Sequence, residues 1–150
     1  MSWTEAARAA LKQTSQESSI YIGADSVRFK KGNKWFARYA TVIVIHMDSR
    51  HGCKVFYDVK TLPDYGQLRT RLLTEVQMSI DAFLSIEDLI GKRHLEIHLD
   101  VNPDPMHASN IVANEASGWI RGMGLLPKIK NDAWAASTAA DYCARGRIMH

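Results

Sequence analysis

Cysteine is scarce in this chain of 150 residues, and the two that occur, Cys53 and Cys143, lie far apart without a Cys-x-x-Cys pair. This pattern argues against a disulfide scaffold and against a cysteine zinc site. No apolar run approaches the roughly 18 residues that a membrane-spanning helix needs. The first residues also lack the charged-then-apolar plan of a signal peptide. These absences predict a cytoplasmic protein that has no membrane partner.

The chain also lacks a large excess of either positive or negative charge. The chain has 19 Lys and Arg residues against 16 Asp and Glu residues, a formal net charge of +3. Such a mild excess permits contact with a polyanion but does not by itself indicate one. Low-complexity segments and internal repeats are absent, and 46% hydrophobic with 23% charged residues is ordinary for a globular protein. The length suits one domain with a substantial core.

One stretch stands out among the features that are present. Apolar and polar residues alternate over residues 94–101, which predicts a strand, and Pro103 and Pro105 then forbid its continuation. Asp100 is therefore predicted at the carboxyl end of a strand, where open α/β sheets bind ligands. The alternative for Asp100 is a turn-forming role, and for Asp104 that role is the more natural one.

The remaining patterns predict a mixed α/β sheet. Short turns separate the first three strands, which therefore form an antiparallel meander. The predicted elements are strands at 20–25, 35–47, 53–60, 94–101 and 125–130, and helices at 67–84, 109–121 and 133–144. This order predicts a five-stranded sheet with strands 1, 4 and 5 parallel and helices on both faces. A short helix at 3–12 and a linker precede it, so we divide the chain into 1–19, a main domain at 20–144, and a basic tail at 145–150.

A second carboxylate is predicted beside Asp100. Asp25 ends the first predicted strand, which would be central and parallel to the strand of Asp100. The two aspartates would then lie at the same edge of adjacent strands. Gly23 shares a face with Asp25 and leaves room for a group to approach the sheet.

Two further acids lie on helices. Glu75 falls at the border of the apolar stripe of helix 67–84, from where its carboxylate could reach over the sheet edge. Asp81 and Glu87 are the alternatives for an acid contributed by this region. Asp132 stands at the start of the closing helix, where it is equally suited to a plain N-cap.

The order of elements and acids resembles the ribonuclease H-like superfamily. Four segments resemble one bacterial and phage family of predicted ribonuclease H-like nucleases: Ile-Gly-Ala-Asp-Ser at 22–26, His-Leu-Asp-Val-Asn-Pro-Asp-Pro at 98–105, Gly-Trp-Ile-Arg-Gly-Met-Gly at 118–124 and Asp-Ala-Trp-Ala-Ala-Ser at 132–137. The resemblance extends from about residue 20 to residue 142. The closing Asp-Ala-x-Ala-Ala pattern is shared more widely and is similar to that of Holliday-junction resolvases.

The resemblance implies that Asp25, Glu75, Asp100 and Asp132 form one catalytic cluster holding two Mg²⁺ or Mn²⁺ ions. Oxygen ligands suit these hard cations. Two such ions, roughly 3.5–4 Å apart, stabilise both the attacking and the leaving oxygen of a phosphodiester. The implied activity is that of a nuclease acting on RNA, an RNA–DNA hybrid or branched DNA, and a homodimer is expected if the substrate is a junction.

A basic and aromatic stretch at 28–38 resembles a nucleic-acid contact. The alternative is a solvated hairpin whose lysines discourage pairing with another sheet edge. Two alternating lysines of the last predicted strand are further candidates for phosphate contact. The predicted nucleic-acid-binding residues are Arg28, Lys30, Lys31, Lys34, Trp35, Lys128 and Lys130.

Four residues near the acids are candidates for accessory roles. Ser26 is suited to phosphate binding or to capping. His98 shares a strand face with Asp100, and an interior, hydrogen-bonded histidine is its alternative to a catalytic one. His107 is a candidate general base or phosphate contact, or else a surface histidine. Asp104 would be a fifth ligand.

Two other functions fit the same sequence. A non-catalytic nucleic-acid-binding module would keep the fold and depend on Lys30, Lys31 and Lys34 rather than on metal. A structural domain that binds a partner through the N-terminal helix would show neither metal nor nucleic-acid affinity.

Overall fold

The computed structural model describes residues 2–46, 53–99 and 110–128. These segments contain five strands, three α-helices and one 3₁₀ turn. In chain order they are α1 (Trp3–Gln13), β1 (Ser19–Lys31), β2 (Lys34–His46), β3 (Cys53–Pro63), α2 (Leu68–Ile86), the 3₁₀ turn (Glu87–Leu89), β4 (His94–His98), α3 (Asn110–Gly122) and β5 (Leu126–Lys128). The predicted closing helix at 133–144 and the tail at 145–150 lie outside the described residues.

The five strands form one mixed sheet in the order β3-β2-β1-β4-β5. β1 pairs antiparallel with β2, and β2 with β3. β1 pairs parallel with β4, and β4 with β5. The predicted sheet, with a central first strand flanked by the second and fourth, is confirmed.

The predicted end of the first strand at Asp25 is wrong. β1 continues to Lys31, so most of the residues between the first two predicted strands, 26–31, are also strand. The reason is the hairpin: β2 stays in register with β1 as far as Lys31↔Lys34, and Gly32, at φ +63°, makes the turn. Asp25 therefore lies within a strand rather than at its end.

β4 accompanies β1 over a much shorter distance than β2 does. The described pairing of β1 with β4 stops at Gly23↔His98. Asp25 is two residues beyond this point, where β1 is still paired with Ala40 on its other side. Asp25 thus follows the last described β1–β4 pair.

The main core lies between one face of the sheet and the described helices. Ile22 of β1 and Ile43 of β2 are fully buried there, together with Leu11 of α1, Val76 of α2 and Ile120 of α3. Because Leu11 is only 1% exposed, α1 is packed into the domain core. Among the helices described, none combines the length and hydropathy that spanning a bilayer requires.

The opposite face of the sheet carries a second, smaller apolar cluster. Val42 and Val44 of β2 are buried there beside Tyr21 and Tyr57. Asp25 belongs to this face because side chains alternate along a strand. Its neighbour Ser26 belongs to the face that the helices cover.

Candidate functional site

Glu75 is buried more deeply than its border position on the helix predicts. The residue is only 7% exposed, and its Oε2 accepts a hydrogen bond from the Ser26 hydroxyl at 2.6 Å. Removing a carboxylate from water is costly unless donors compensate it. The α2–β1 contact therefore holds the Glu75 side chain against the sheet in one place.

Asp25 is linked to the same serine from the other side. Its Oδ1 accepts a hydrogen bond from the backbone N–H of Ser26 at 2.9 Å. Ser26 thus contacts both carboxylates, one through its hydroxyl and one through its amide. The two acids, 50 positions apart in sequence, flank one residue just beyond the last described β1–β4 pair.

The alternative acids of the α2 region lie elsewhere. Asp81 accepts a hydrogen bond from the Gln77 amide at 2.8 Å on the exposed side of α2. Glu87 begins the 3₁₀ turn after the carboxyl end of the helix. Of these acids, Glu75 is the one that contacts Ser26, the residue next to Asp25.

Several predicted site residues fall outside the part of the chain that the structure describes: Asp100, Asp104, His107, Lys130 and Asp132. The backbone of Lys128 is described and pairs with His98 at the end of β5. Within the described residues, no group of three or more His, Cys, Asp or Glu side chains is arranged to hold a metal ion. Two of the four predicted ligands, Asp100 and Asp132, are not among those residues.

His98 is an interior histidine on the face that also carries Asp25. It is 1% exposed, its Nε2 lies 3.1 Å from Glu96 Oε1, and its ring centroid lies 5.3 Å from that of Tyr21. The other oxygen of Glu96 lies 2.7 Å from His94 Nε2. Burial alone would raise the pKa of Glu96, but hydrogen bonds from the two histidines outweigh it and hold that pKa below its usual value.

Sequence reasoning missed Tyr39, which lies across from Ser26 in the β1–β2 pair. The residue is 4% exposed. Burial raises the pKa of its phenol, a hydrogen bond with Thr74 opposes this shift, and the negative charges of Glu75 and Asp64 add to it. A tyrosine in an apolar strand gives no sequence signal for such a position.

Asp64 is a second residue that the sequence did not indicate. Its side chain is only 4% exposed, with Arg28 Nε at 2.5 Å and Arg71 Nη1 at 3.8 Å. Its backbone N–H donates to the Trp35 carbonyl at 3.0 Å. This ion pair ties the β1–β2 hairpin to the start of α2, the helix that carries Glu75.

The predicted nucleic-acid-binding residues of the hairpin are exposed at its end. Lys30, Lys31 and Lys34 lie in solvent, and Trp35 is 44% exposed. Arg28 contacts other side chains of the protein. Its guanidinium carbon lies 4.6 Å from the centroid of the Trp35 ring, and its Nε contacts Asp64. Strand alternation places Lys30 and Trp35 on the face of Ser26, and Lys31 and Lys34 on the opposite face.

Among the solved structures that the chain resembles is one of low sequence identity. The chain matches the crystal structure of the native prototype foamy virus protease-reverse transcriptase with a TM-score of 0.44 and 11% sequence identity. The match covers 89% of this chain and 21% of that chain. No curated protein sequence matches.

The family comparison covers nearly the whole sequence. The family model described as Ribonuclease H-like matches residues 4–145, and so includes α1 as well as the sheet. This span contains Asp25, Glu75, Asp100 and Asp132. The sheet order and this match together show that the chain belongs to the ribonuclease H-like family, with the fold that the resemblance implied.

Proposed function

We propose that this protein is a nuclease that hydrolyses phosphodiester bonds with the help of bound Mg²⁺ or Mn²⁺. The observation that carries the proposal is the Ser26 contact, which joins Glu75 of α2 to the β1 strand beside Asp25. Both acids lie in a chain of the ribonuclease H-like family. The substrates proposed from the sequence are RNA, an RNA–DNA hybrid and branched DNA.

The described donors fit a hard divalent cation. Asp25 and Glu75 offer carboxylate oxygens, the ligand type that Mg²⁺ and Mn²⁺ prefer. Gly23 pairs with His98, and Asp25 and Asp100 each follow this pair by two positions in sequence. The equal offset supports Asp100 as the third ligand, and Asp132 is proposed as the fourth.

The bound ions would supply Lewis-acid stabilisation of the attacking and leaving oxygens of the phosphodiester. The chain's own contribution is preorganisation. Burial of Glu75 and its hydrogen bond from Ser26 fix the carboxylate before substrate arrives. Fixed ligands do not need to reorganise during the reaction, which is the main source of electrostatic stabilisation in enzymes.

The exposed lysines of the hairpin are proposed to bind the nucleic-acid backbone. Lys30 and Lys31 end the strand that carries Asp25 and Ser26, and Lys34 begins the strand paired with it. Each lysine that neutralises a phosphate releases counterions, so binding should weaken as salt rises. Their position at the end of β1 and the start of β2 favours a substrate that runs along the hairpin toward the acids.

The experiment compares Asp25→Asn and Glu75→Gln with Asp81→Asn, an exposed acid on the same helix that serves as the matched control. Labelled single strands, duplexes, hybrids and four-way junctions are incubated with Mg²⁺ or Mn²⁺, and Mn²⁺ uptake is measured by calorimetry. We expect the two site variants to lose about 100-fold or more in cleavage rate, because each removes a ligand that stabilises transition-state charge. Asp81→Asn should cleave normally.

Cleavage that survives in both site variants would contradict the proposal, as would a wild-type protein that neither takes up metal nor cleaves any substrate. The second of these results, combined with strong binding to nucleic acid, would favour the non-catalytic binding module. The exposed lysines of the hairpin are the observation that supports that second function.

A further inference from the structure

We infer that Trp35 and Tyr65 form a stacking platform for an unpaired nucleotide, so that the preferred substrate is a single strand or carries an unpaired segment. This inference rests on the proposed function in one respect, namely that the chain acts on nucleic acid. It adds a binding residue, Tyr65, and a substrate class that the sequence alone did not indicate.

The platform begins with two aromatic side chains that the fold leaves in solvent. Tyr65 is 86% exposed and Trp35 is 44% exposed. Among the described residues, Trp119 on α3 is a third exposed aromatic, at 40%. Exposed aromatic rings with a polar edge are typical of binding surfaces, since they offer large contact area at low entropic cost.

The backbone of Tyr65 is held beside the Trp35 strand by contacts of the residues on either side of it. The preceding residue, Asp64, donates its N–H to the Trp35 carbonyl and forms the ion pair with Arg28. The following residue, Gly66, turns the chain at φ +81°, a conformation that favours glycine. A side chain at Gly66 would begin 4.0 Å from Arg28 Nη2. The Tyr65 segment is therefore held at the base of the hairpin.

The Trp35 ring is held by a cation. The Arg28 guanidinium lies 4.6 Å from the ring centroid, and Asp64 holds that guanidinium through Nε. A ring that is fixed before binding loses little conformational entropy when a base stacks on it. The buried Asp64 thus sets the position of Trp35 as well as that of Tyr65.

The charges around the platform match a nucleic-acid strand. Lys30 is the direct cross-strand partner of Trp35 and shares its face, while Lys31 and Lys34 form the next cross-strand pair, on the opposite face of the same hairpin end. Directly opposite side chains on a sheet begin about 5 Å apart. An aromatic face beside such cations suits a base with its phosphate. In a duplex the base faces are stacked on each other, so only an unpaired base presents a face to the ring.

The platform also lies on the way to the proposed acids. Lys30 follows Ser26 by four residues on the same strand and on the same face. At roughly 3.3 Å per residue, this is about 13 Å. A strand bound on Trp35 and Tyr65 would therefore reach Glu75 by following β1.

The test measures binding of 20-mer oligothymidylate and oligouridylate in EDTA, where no cleavage occurs, against a blunt duplex of the same length. Tyr65→Ala and the Tyr65→Ala/Trp35→Leu double variant are compared with Tyr65→Phe, which keeps the ring, and with Trp119→Ala. We expect Tyr65→Ala to weaken single-strand binding by about tenfold, the loss of one stacked base, and the double variant by more. Tyr65→Phe and Trp119→Ala should bind like the wild type, and duplex affinity should change by less than threefold.

Equal loss on single strand and duplex, or no loss with Tyr65→Ala, would overturn the platform, and so would an equal effect of Trp119→Ala. Tyr65 is too exposed for its replacement to disturb the core, so a loss of binding reports on the surface. The outcome is separate from that of the nuclease proposal, because binding is read without metal. Normal cleavage in both Asp25→Asn and Glu75→Gln, with weak single-strand binding in Tyr65→Ala, would remove the first proposal and leave this one in place.

Discussion

Individual residues of this protein show two ways in which a carboxylate is stabilised, one of them buried and the other partly buried. Glu75, on the helix-covered face, receives the hydroxyl hydrogen of Ser26. Glu96, on the opposite face, lies between the imidazoles of His94 and His98. The partner of Glu75 is 49 positions away in sequence, whereas the partners of Glu96 are two positions away on the same strand. The difference is that the partners of Glu96 are imidazoles, whereas the partner of Glu75 is a hydroxyl.

The first prediction at this scale concerns stability against pH. The pKa of Glu96 is held below its usual 4.5, so its contribution to stability is present above pH 4.5 and is lost as the pH falls through the lowered value. Glu96→Gln should therefore cost about 1–3 kcal/mol at pH 6–7, and this cost should shrink below pH 4.5. Urea unfolding of both proteins between pH 3 and pH 7 measures the difference.

Glu115→Gln is the matched control, because Glu115 pairs with Arg69 at the surface. An exposed pair of this kind contributes less than about 1 kcal/mol. A cost of Glu96→Gln that stayed constant down to pH 3 would contradict the role of the ionised carboxylate.

At the scale of elements, α1 is joined to the rest of the domain by one buried arginine. Arg93, 7% exposed, precedes β4 and donates from Nη2 to the carbonyl oxygens of Leu11 and Thr14 at 2.8 and 2.7 Å. Its Nη1 donates to the Leu89 carbonyl at 2.6 Å. The last carbonyls of a helix have no partner within the helix, and Arg93 supplies one from outside. The guanidinium thus connects the end of α1 to the 3₁₀ turn.

Arg93→Ala should lower the free energy of unfolding by about 3 kcal/mol or more, since several buried carbonyls lose a charged donor at once. Arg93→Lys should restore little of this, because an ammonium group cannot reproduce the planar fork of donors. Equilibrium urea denaturation measures both variants. Arg69→Ala, at an exposed position of α2, is the control. A loss below 1 kcal/mol in Arg93→Ala would show that the apolar contacts of α1 and its Arg8–Asp88 ion pair hold the helix without Arg93.

At the scale of the whole molecule, the described elements pack as one domain that includes the N-terminal helix. Leu11 of α1 shares a core with Ile43 of β2 and Ile120 of α3. The family match, from residue 4 to residue 145, likewise includes α1 together with the sheet. A ligand bound at the acids would therefore stabilise the entire domain and not one element of it.

The prediction at this scale is a metal-dependent rise in the midpoint of thermal unfolding. At 100 times its dissociation constant, Mn²⁺ should add about 2.7 kcal/mol, roughly 5–10 °C for a domain of this size. Scanning calorimetry with and without Mn²⁺ measures the shift. The Mn²⁺-dependent shift should be small in Glu75→Gln and the same as in the wild type in Asp81→Asn. An equal shift in Glu75→Gln would assign the metal to another place.

Much of the fold was predictable because it depends on local periodicity. Alternation over residues 94–98 and the three- and four-residue spacing of α2 identify these elements without reference to their partners. Short connections then predict the meander of β1, β2 and β3. The length of β1 could not be predicted from this pattern. The strand continues past Asp25 because it pairs with β2, and its own residues do not indicate this.

The candidate site divides in the same way. The sequence by itself determined the acids Asp25 and Glu75 as candidates, through strand and helix position together with the family resemblance. Only the tertiary structure decided that Glu75 is buried on Ser26, 49 positions away, and that Asp64 joins Arg28, 36 positions away. Such contacts depend on the packing angle of α2 on the sheet, which no local pattern encodes. Periodicity specifies which face a residue occupies, and packing specifies which residue it meets.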